Sequence, residues 1–233
     1  MTINNKTVLI TGGSSGIGKT TAERLIKLGA KVAITGRDKE KLETVAQNLG
    51  AFPIHADIEN PVDVETTVTK FLSEFGTIDV LINNAGIGVH KPLEELSIKD
   101  FKHVFGVNVF GLAMMSQKVA EVFKTKKSGT IINIGSTSGL NGYKTGSVYS
   151  SSKFAVRGLT QCLQAELRPF NIRVTLINPS EVPTAFGNNQ RIERVNMPNK
   201  LSTKEVSDAI ISSLQMDERG MIPELTLWAT NPW

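Results

Sequence analysis

Tyr149 and Lys153 stand four residues apart in the sequence. On an α-helix such residues share a face and lie one turn apart, so a phenol and an ammonium group would be neighbours. Proton transfer to a carbonyl near neutral pH requires a phenol whose pKa lies below its ordinary value of about 10. A nearby ammonium lowers that pKa because it favours the phenolate. The pair therefore predicts general acid–base chemistry, although an exposed helix pair without function has the same spacing.

Polar residues follow three of the apolar segments that we interpret as buried strands. Ser136 comes after the segment 130–134 and precedes Tyr149 by 13 residues. The polar segments 83–86 and 178–179 follow two other apolar runs. In a parallel sheet the carboxyl ends of the strands meet at one edge, where the ligand crevice opens. We therefore expect these polar residues to converge on one site.

A glycine-rich turn over 11–20 joins the first predicted strand to the first predicted helix. Residues 13–20 match the P-loop pattern Gly-x-x-x-x-Gly-Lys-Thr, in which Lys19 would bind nucleotide phosphates and Thr20 a magnesium ion. A P-loop enzyme also requires an acid at the end of another strand, and Asp57 is the candidate. On this interpretation the chain would be a nucleotide hydrolase.

The same turn contains a second pattern, Gly12-x-x-x-Gly16-x-Gly18. This spacing would present backbone amides and the N-terminus of a helix to the pyrophosphate of a dinucleotide. It differs from the Rossmann pattern G-x-G-x-x-G because Ser14 and Ile17 stand at two of its glycine positions. A tight turn that binds nothing is a third interpretation. The turn alone does not decide among the three.

The elements that must position these residues alternate along the chain between short apolar runs and amphipathic stretches. Predicted strands are 7–11, 31–35, 51–56, 80–82, 130–134, 173–177 and 225–228; predicted helices are 20–28, 38–49, 60–75, 100–123, 152–167 and 204–214. This alternation predicts an α/β fold in which right-handed crossovers cover both faces of a parallel sheet. Without an internal repeat or a linker-like break, one domain over 1–233 is expected.

Composition excludes several classes of protein. The 233 residues carry a net charge of +4, and the basic residues are scattered, so no nucleic-acid partner is expected. No apolar run approaches the ~18 residues of a membrane span, and the first ten residues lack the pattern of a signal peptide. The single cysteine, Cys162, cannot form an internal disulfide, which predicts a cytoplasmic location.

Taken together, the motifs resemble those of the short-chain dehydrogenase/reductase superfamily, over nearly the whole chain. They occur in the family's order and spacing: Gly12-x-x-x-Gly16-x-Gly18, Asn83-Asn84-Ala85-Gly86, Asn108, Ser136, Tyr149-x-x-x-Lys153 and Asn178-Pro179. The resemblance implies a Rossmann fold with a seven-stranded parallel sheet in the order 3-2-1-4-5-6-7. It also makes the P-loop match accidental. Within the superfamily the chain is similar to the 3-oxoacyl-carrier-protein reductase branch.

The resemblance implies a catalytic role for four residues. Tyr149 donates a proton to a carbonyl oxygen while the nicotinamide delivers a hydride, and Lys153 lowers the phenol's pKa and binds the nicotinamide ribose. Ser136 donates a hydrogen bond to the same oxygen; Ser138 is its nearby rival. Asn108 matches the asparagine that holds a water in the proton relay, with a bond to the backbone inside a helix as the alternative.

The resemblance also implies a nicotinamide cofactor. Gly36 stands where an acid would select NAD(H), and Arg37 follows it, which favours NADP(H), with NAD(H) as the alternative. We interpret Asp38 as a helix N-cap. The implied cofactor contacts are Gly12, Ser14, Ser15, Gly16, Ile17, Gly18, Arg37, Asp57, Ile58, Asn84, Ala85, Gly86, Tyr149, Lys153, Pro179, Val182 and Thr184. Ser180 replaces the family's usual glycine, which predicts a local difference in the nicotinamide loop.

Substrate specificity is expected from three segments: 87–91, 140–143 and a short lid at about 185–201. Tyr143 is expected to line the substrate pocket. In the lid, Arg191, Arg194 and Lys200 would suit an acidic acyl carrier protein, or would be solvated loop residues. The ending at 227–233 departs from the glycine-rich ending of the carrier-protein reductase branch.

The predicted function is reduction of a ketone or other carbonyl, with a 3-oxoacyl compound as one candidate. A non-catalytic regulator that senses NAD(P) on the same fold is the alternative. The family's usual assembly predicts a homotetramer or homodimer built through helices 100–123 and 152–167. No metal is expected, because His55, His90 and His103 are too scattered for ligand spacing and are interpreted as ordinary loop or helix histidines.

Overall fold

Across residues 2–187 and 192–233, which the computed structural model describes, seven parallel strands form one sheet in the order β3-β2-β1-β4-β5-β6-β7. The strands are β1 (Thr7–Ile10), β2 (Lys31–Gly36), β3 (Phe52–His55), β4 (Val80–Asn83), β5 (Gly129–Ile134), β6 (Ile172–Pro179) and β7 (Glu224–Leu227). The predicted α/β fold and strand order are confirmed. The order reverses between β1 and β4, and open α/β sheets bind ligands at such a switch point.

Seven α-helices connect the strands in the described part of the chain. They are α1 (Gly16–Lys27), α2 (Lys39–Leu49), α3 (Pro61–Phe75), α4 (Ile98–Phe105), α5 (Leu112–Lys126), α6 (Ser147–Leu167) and α7 (Thr203–Gln215). The ranges predicted for α1 and α6 start several residues after the first residues of the observed helices. Glycines open α1 and serines fill the start of α6, and neither type adds to the apolar periodicity on which the prediction relied. Because α6 begins at Ser147, Tyr149 lies inside this helix and not before it.

The predicted helix 100–123 is interrupted. Between α4 and α5 the backbone forms a π-helical segment, Gly106–Gly111, which carries Asn108. The glycine at each end allows a close approach by another part of the chain: a Cβ at Gly111 would lie 2.7 Å from the Ile58 side chain, and one at Gly106 would overlap Glu59. Such π segments are frequent at functional sites.

The core consists of two apolar layers, one on each face of the sheet. Side chains alternate along β1, so that Val8 and Ile10 pack with α1, α2 and α7, whereas Leu9 packs with α3 and α5. Leu9 and Ile10 are fully buried. Because helices cover both faces, the sheet is left open only at its edges and strand ends. No helix in the described ranges is long and apolar enough to cross a membrane.

Candidate active site

The glycine-rich turn is tied to the end of β4 by four hydrogen bonds that involve the side chains of Thr11 and Asn84. The Thr11 hydroxyl accepts from the amides of Asn84 at 3.0 Å and Ala85 at 3.1 Å. The Asn84 side chain donates to the carbonyl oxygens of Thr11 at 3.0 Å and Gly12 at 2.9 Å. Gly12 has a φ of +66°, and a Cβ there would lie 2.9 Å from the Cα of Ala85. Only glycine fits this approach, which brings two predicted binding segments together.

The N-terminus of α1 can receive an anion. Its N-cap, Ser15, makes no capping hydrogen bond with its side chain, and the first turn contains no acid. The amide of Gly16 donates instead to the carboxylate of Glu193 at 3.2 Å. Thr184 also reaches this point, since its methyl group lies 3.2 Å from where a Cβ of Gly16 would be. A carboxylate therefore already lies where the helix amides would bind a phosphate.

The geometry expected of a P-loop is not formed. The amide of Lys19 donates to the Ser15 carbonyl at 3.1 Å within α1, and the Lys19 side chain is exposed. The Thr20 hydroxyl is engaged with Thr203 of α7 at 2.8 Å. The Thr20 hydroxyl, which a P-loop would use to bind magnesium, is therefore engaged elsewhere.

The end of β2 carries the residues predicted to choose the cofactor. Gly36 leaves room for Ser14, whose hydroxyl oxygen lies 3.1 Å from where a Cβ of Gly36 would be. Arg37 follows, and its guanidinium Nη1 lies 3.9 Å from Oδ2 of Asp57. Asp38 accepts a hydrogen bond from the amide of Lys41 at 3.1 Å, so its interpretation as an N-cap is confirmed. The carboxylate nearest to Arg37 in the sequence, that of Asp38, therefore caps α2.

Three of the predicted cofactor contacts are packed into the core. Ile58 and Val182 are buried in the two opposite apolar layers, and Ile17 packs against the layer that contains Val182. Contact with a cofactor would therefore come from their backbone atoms or from a small exposed fraction. Their side chains support the groove from within the protein.

Tyr149, Lys153 and Ser136 lie together at the carboxyl edge of the sheet. Tyr149 and Lys153 share one face of α6, with the lysine Nζ 5.8 Å from the centre of the phenol ring. Nζ donates to the backbone carbonyl of Ile134 at 2.8 Å. The Ser136 side chain interacts with the Tyr149 phenol and acts to lower its pKa, and Ser138 stands in the same relation to Tyr143. This difference favours Ser136 over Ser138 as the partner of the phenol.

Burial controls the protonation of this pair. Only 9% of Tyr149 and 6% of Lys153 is exposed. Burial raises the pKa of the Tyr149 phenol above its ordinary value, while the hydrogen bond from Ser136 acts in the opposite direction. Burial lowers the pKa of Lys153 to about 8. The predicted lowering of the phenol's pKa is not found in this structure, because loss of water outweighs the favourable contacts.

Asn108 bonds the backbone from within the π-helical segment. Its Oδ1 accepts from the amide of Ile87 at 2.9 Å, and its Nδ2 donates to the Ile87 carbonyl at 2.9 Å and to Ser152 at 3.0 Å. Gly86 lies beside it, since a Cβ there would be 3.4 Å from Oδ1 of Asn108 and 3.8 Å from Nζ of Lys153. Asn108 thus links the Ile87 segment to α6, as the alternative interpretation expected. Its role in a water relay stays a prediction.

Aromatic rings surround the Tyr149 phenol. The ring centre of His90 lies 5.7 Å from that of Tyr149, and that of Phe186 lies 5.2 Å from it. Nδ1 of His90 lies 3.0 Å from the Tyr143 hydroxyl, within hydrogen-bond distance. The interpretation of His90 as an ordinary loop histidine missed these contacts, although segment 87–91 was expected to influence specificity. No spacing pattern indicates a contact between residues so far apart in the chain.

The lid region is held to the body of the protein by its charged residues. Arg194 donates to the Thr184 carbonyl at 3.1 Å and pairs with Glu181 at 3.3 Å. Lys200 also pairs with Glu181, at 3.3 Å. Two of the three cations considered for an acidic carrier protein are therefore engaged internally. The third, Arg191, lies outside the described residues.

The loop after β6 does not require the glycine that the family usually has at position 180. Ser180 is not among the non-glycine residues with positive φ, and its amide donates to the Leu227 carbonyl at 2.8 Å. Pro179 ends β6, and Thr184 accepts from the amide of Phe186 at 3.2 Å. The serine is therefore accommodated without backbone strain.

No metal-binding group of three His, Cys, Asp or Glu side chains is found in residues 2–187 and 192–233. Nε2 of His55 lies 2.9 Å from the Arg37 carbonyl oxygen, which can only accept, so the imidazole tautomer with a proton on Nε2 fits this contact. His103 lies 3.1 Å from a Glu59 carboxylate oxygen.

A glycine turn at the switch point, beside buried serine, tyrosine and lysine side chains, is typical of oxidoreductases that bind a dinucleotide on an α/β sheet. Comparison with known proteins agrees. The profile of the short chain dehydrogenase family matches residues 6–195, and the chain belongs to this family.

Individual relatives support the assignment. The chain is 35% identical over 213 residues to a 3-ketodihydrosphingosine reductase from Bacteroides thetaiotaomicron, covering 91% of this chain and 76% of that protein. An alcohol dehydrogenase from the archaeon Thermococcus sibiricus, complexed with 5-hydroxy-NADP, matches with a TM-score of 0.89 at 30% identity over 97% of both chains. A 3-ketoacyl-(acyl-carrier-protein) reductase from Brucella melitensis, complexed with NADH, matches with a TM-score of 0.88 at 31% identity, over 99% of this chain and 100% of that one.

Proposed function

We propose that this protein is an NADP(H)-dependent carbonyl reductase in which Tyr149 is the general acid. The observation that carries the proposal is the buried cluster of Ser136, Tyr149 and Lys153, held at the strand ends beside a glycine turn in which the Gly16 amide donates to a carboxylate. Reduction of a carbonyl requires a hydride, which the nicotinamide cofactor would supply. The chain supplies the proton and the orientation.

The protonation states favour reduction. Because burial raises the pKa of Tyr149, the phenol carries its proton at neutral pH and can donate it to a developing alkoxide. The Ser136 hydroxyl, which already contacts the phenol, would donate to the same oxygen and stabilise the charge that develops there. Lys153 would place its ammonium beside the phenol and meet the ribose of the bound cofactor.

The preference for NADP(H) rests on Arg37. No acid stands at Gly36, and Asp38 is committed to capping α2, so a 2′-phosphate would meet a guanidinium. Asp57, 3.9 Å from Arg37, competes for that cation. NAD(H) is the alternative, and the two structural relatives above hold one cofactor of each kind.

The substrate that we propose is a ketone with an apolar substituent next to its carbonyl. His90 and Phe186 lie beside the phenol and Tyr143 lies beside His90, and such aromatic walls favour apolar or planar groups. Both named reductases among the relatives are enzymes of 3-keto compounds, so 3-oxoacyl thioesters and β-keto esters are the first candidates. If the substrate were carried by an acyl carrier protein, the acidic surface of that protein would compete with Glu181 for Arg194 and Lys200.

We also propose that the protein is a homotetramer or homodimer. Phe110, in the π-helical segment before α5, and Phe154, on α6, are large apolar side chains that are 56% and 45% exposed. Sedimentation velocity tests this. A monomer at micromolar concentration would contradict it.

A screen of NADPH oxidation tests the proposed reaction. The panel is 3-oxoacyl thioesters, β-keto esters, diketones, quinones and sugars, each assayed with NADPH and with NADH. Turnover of at least one carbonyl compound with NADPH is expected. Tight NADPH binding without turnover of any compound would favour the regulator instead, and absence of binding to either cofactor would contradict both.

A further inference from the structure

Glu224 connects three elements around the candidate active site. It lies at the start of β7, and its Oε1 accepts from the side-chain amide of Asn178 at 2.8 Å. Its other oxygen, Oε2, accepts from Nε of Arg157 at 3.0 Å. Asn178 belongs to β6 and Arg157 to α6, the helix that carries Tyr149. One carboxylate therefore joins β7, β6 and α6.

The same Asn178 side chain also forms a hydrogen bond with Ser136. Asn178 is 1% exposed, and its side-chain Oδ1 accepts from the backbone amide of Ser136 at 3.3 Å. A Cβ at Gly135 would overlap the same oxygen, so the chain leading to Ser136 packs directly against it. The backbone of Ser136 is thus held by an acceptor on β6.

We propose that Glu224 is a positioning residue for Ser136, and this inference rests on the proposed function. A side-chain amide presents a donor at one end and an acceptor at the other. Because Glu224 accepts from the nitrogen of Asn178, the oxygen of Asn178 must face the amide of Ser136. If that side chain turned over, two donors would face each other in a buried place and the hydrogen bond would be lost.

The consequence for the reaction follows from the position of Ser136. Its side chain interacts with the Tyr149 phenol, so holding the Ser136 backbone through Asn178 helps to place the serine hydroxyl relative to the phenol. Glu224 touches neither group. It acts through Asn178, and its other oxygen forms an ion pair with Arg157.

The test uses Glu224→Met, which removes both acceptors at similar volume. Hydrogen exchange of the Ser136 amide is measured at single-residue resolution, together with kcat for NADPH-dependent reduction of ethyl acetoacetate. We expect exchange to rise about tenfold and kcat to fall about tenfold, since one buried hydrogen bond is lost. Arg157→Met is the matched control, because it breaks the same ion pair but leaves Glu224 free to accept from Asn178. Its exchange should change by no more than about threefold.

A second substitution distinguishes positioning from a general structural role. Asn178→Asp presents an acceptor at either end, so it should restore protection of the Ser136 amide in the Glu224→Met protein to within about threefold. In the wild-type background the same substitution sets two carboxylates against each other and should increase exchange. A general packing role for Glu224 would give no such reversal.

Three results would overturn the proposal: unchanged exchange in Glu224→Met, an equal effect of Arg157→Met, or no restoration by Asn178→Asp. If Glu224→Met does not fold, Glu224→Leu replaces it, because leucine also removes both acceptors. The exchange measurement needs no substrate. If the wild-type protein reduces neither ethyl acetoacetate nor any other compound of the panel, that result counts against the proposed function and leaves the exchange test of Glu224 intact.

Discussion

The carboxylate of Glu193 accepts a hydrogen bond of 3.2 Å from the amide of Gly16, the first residue of α1. This amide belongs to the helix N-terminus that would receive the cofactor's pyrophosphate, and two anions cannot share one amide. The contact therefore competes with the proposed cofactor.

Glu193→Gln should strengthen NADPH binding. Removing the negative charge weakens the internal contact and removes repulsion of the pyrophosphate, so we expect Kd to fall by about threefold at low salt and less at high salt. Nicotinamide fluorescence measures Kd. Glu166→Gln, at the other end of α6 from Tyr149, is the charge-matched control and should leave Kd unchanged. An unchanged or higher Kd for Glu193→Gln would contradict the prediction.

Tyr149→Phe should abolish reduction without abolishing cofactor binding. The substitution removes the proposed proton donor, which is worth about 10²- to 10⁴-fold in kcat for general acid catalysis. NADPH binding, measured by fluorescence, should be retained. Tyr143→Phe is the matched control: it removes a hydroxyl that contacts His90 rather than Ser136, so it should act mainly on KM. Wild-type turnover by Tyr149→Phe would show that the catalytic assignment is wrong.

Arg37→Ser should change cofactor preference. Loss of a charged hydrogen bond to the 2′-phosphate corresponds to about 10- to 100-fold in KM for NADPH. KM for NADH should change little, because its 2′-hydroxyl does not need a cation. Steady-state kinetics with both cofactors give the ratio, and Lys39→Ser serves as a control on the same surface. If both KM values rose equally, the 2′-phosphate would not be the group that Arg37 meets.

The buried Lys153 should make the free energy of unfolding rise with pH. Burial lowers its pKa from 10.5 to about 8. Between these values the folded protein binds fewer protons than the unfolded chain, so the free energy of unfolding rises with pH. Relative to Lys153→Met, the wild-type protein should gain about 3 kcal/mol between pH 7 and 10.5, from 1.36 kcal/mol per pKa unit. Urea denaturation of both proteins measures the difference. A difference that stays constant over this range would contradict the assigned burial.

Much of the fold could be predicted because its elements leave local signals. β-branched runs and alternating amphipathic stretches identified the strands and most helices, and Asp38 was recognised as an N-cap from its position alone. The π-helical segment at Gly106–Gly111 was missed, because it depends on Ile58 and Glu59 packing against its two glycines. Such a contact leaves no trace in the periodicity of the helix itself.

For the candidate site, sequence alone was sufficient to name the polar residues at the strand ends, since parallel strands bring their carboxyl ends together. Tertiary structure decided the rest. It showed that the Thr20 hydroxyl bonds Thr203, that Ser136 rather than Ser138 interacts with Tyr149, and that His90 lies beside the phenol. It also reversed the expected pKa shift of Tyr149. Each of these depends on distance and burial between residues far apart in the chain, and no local pattern encodes them.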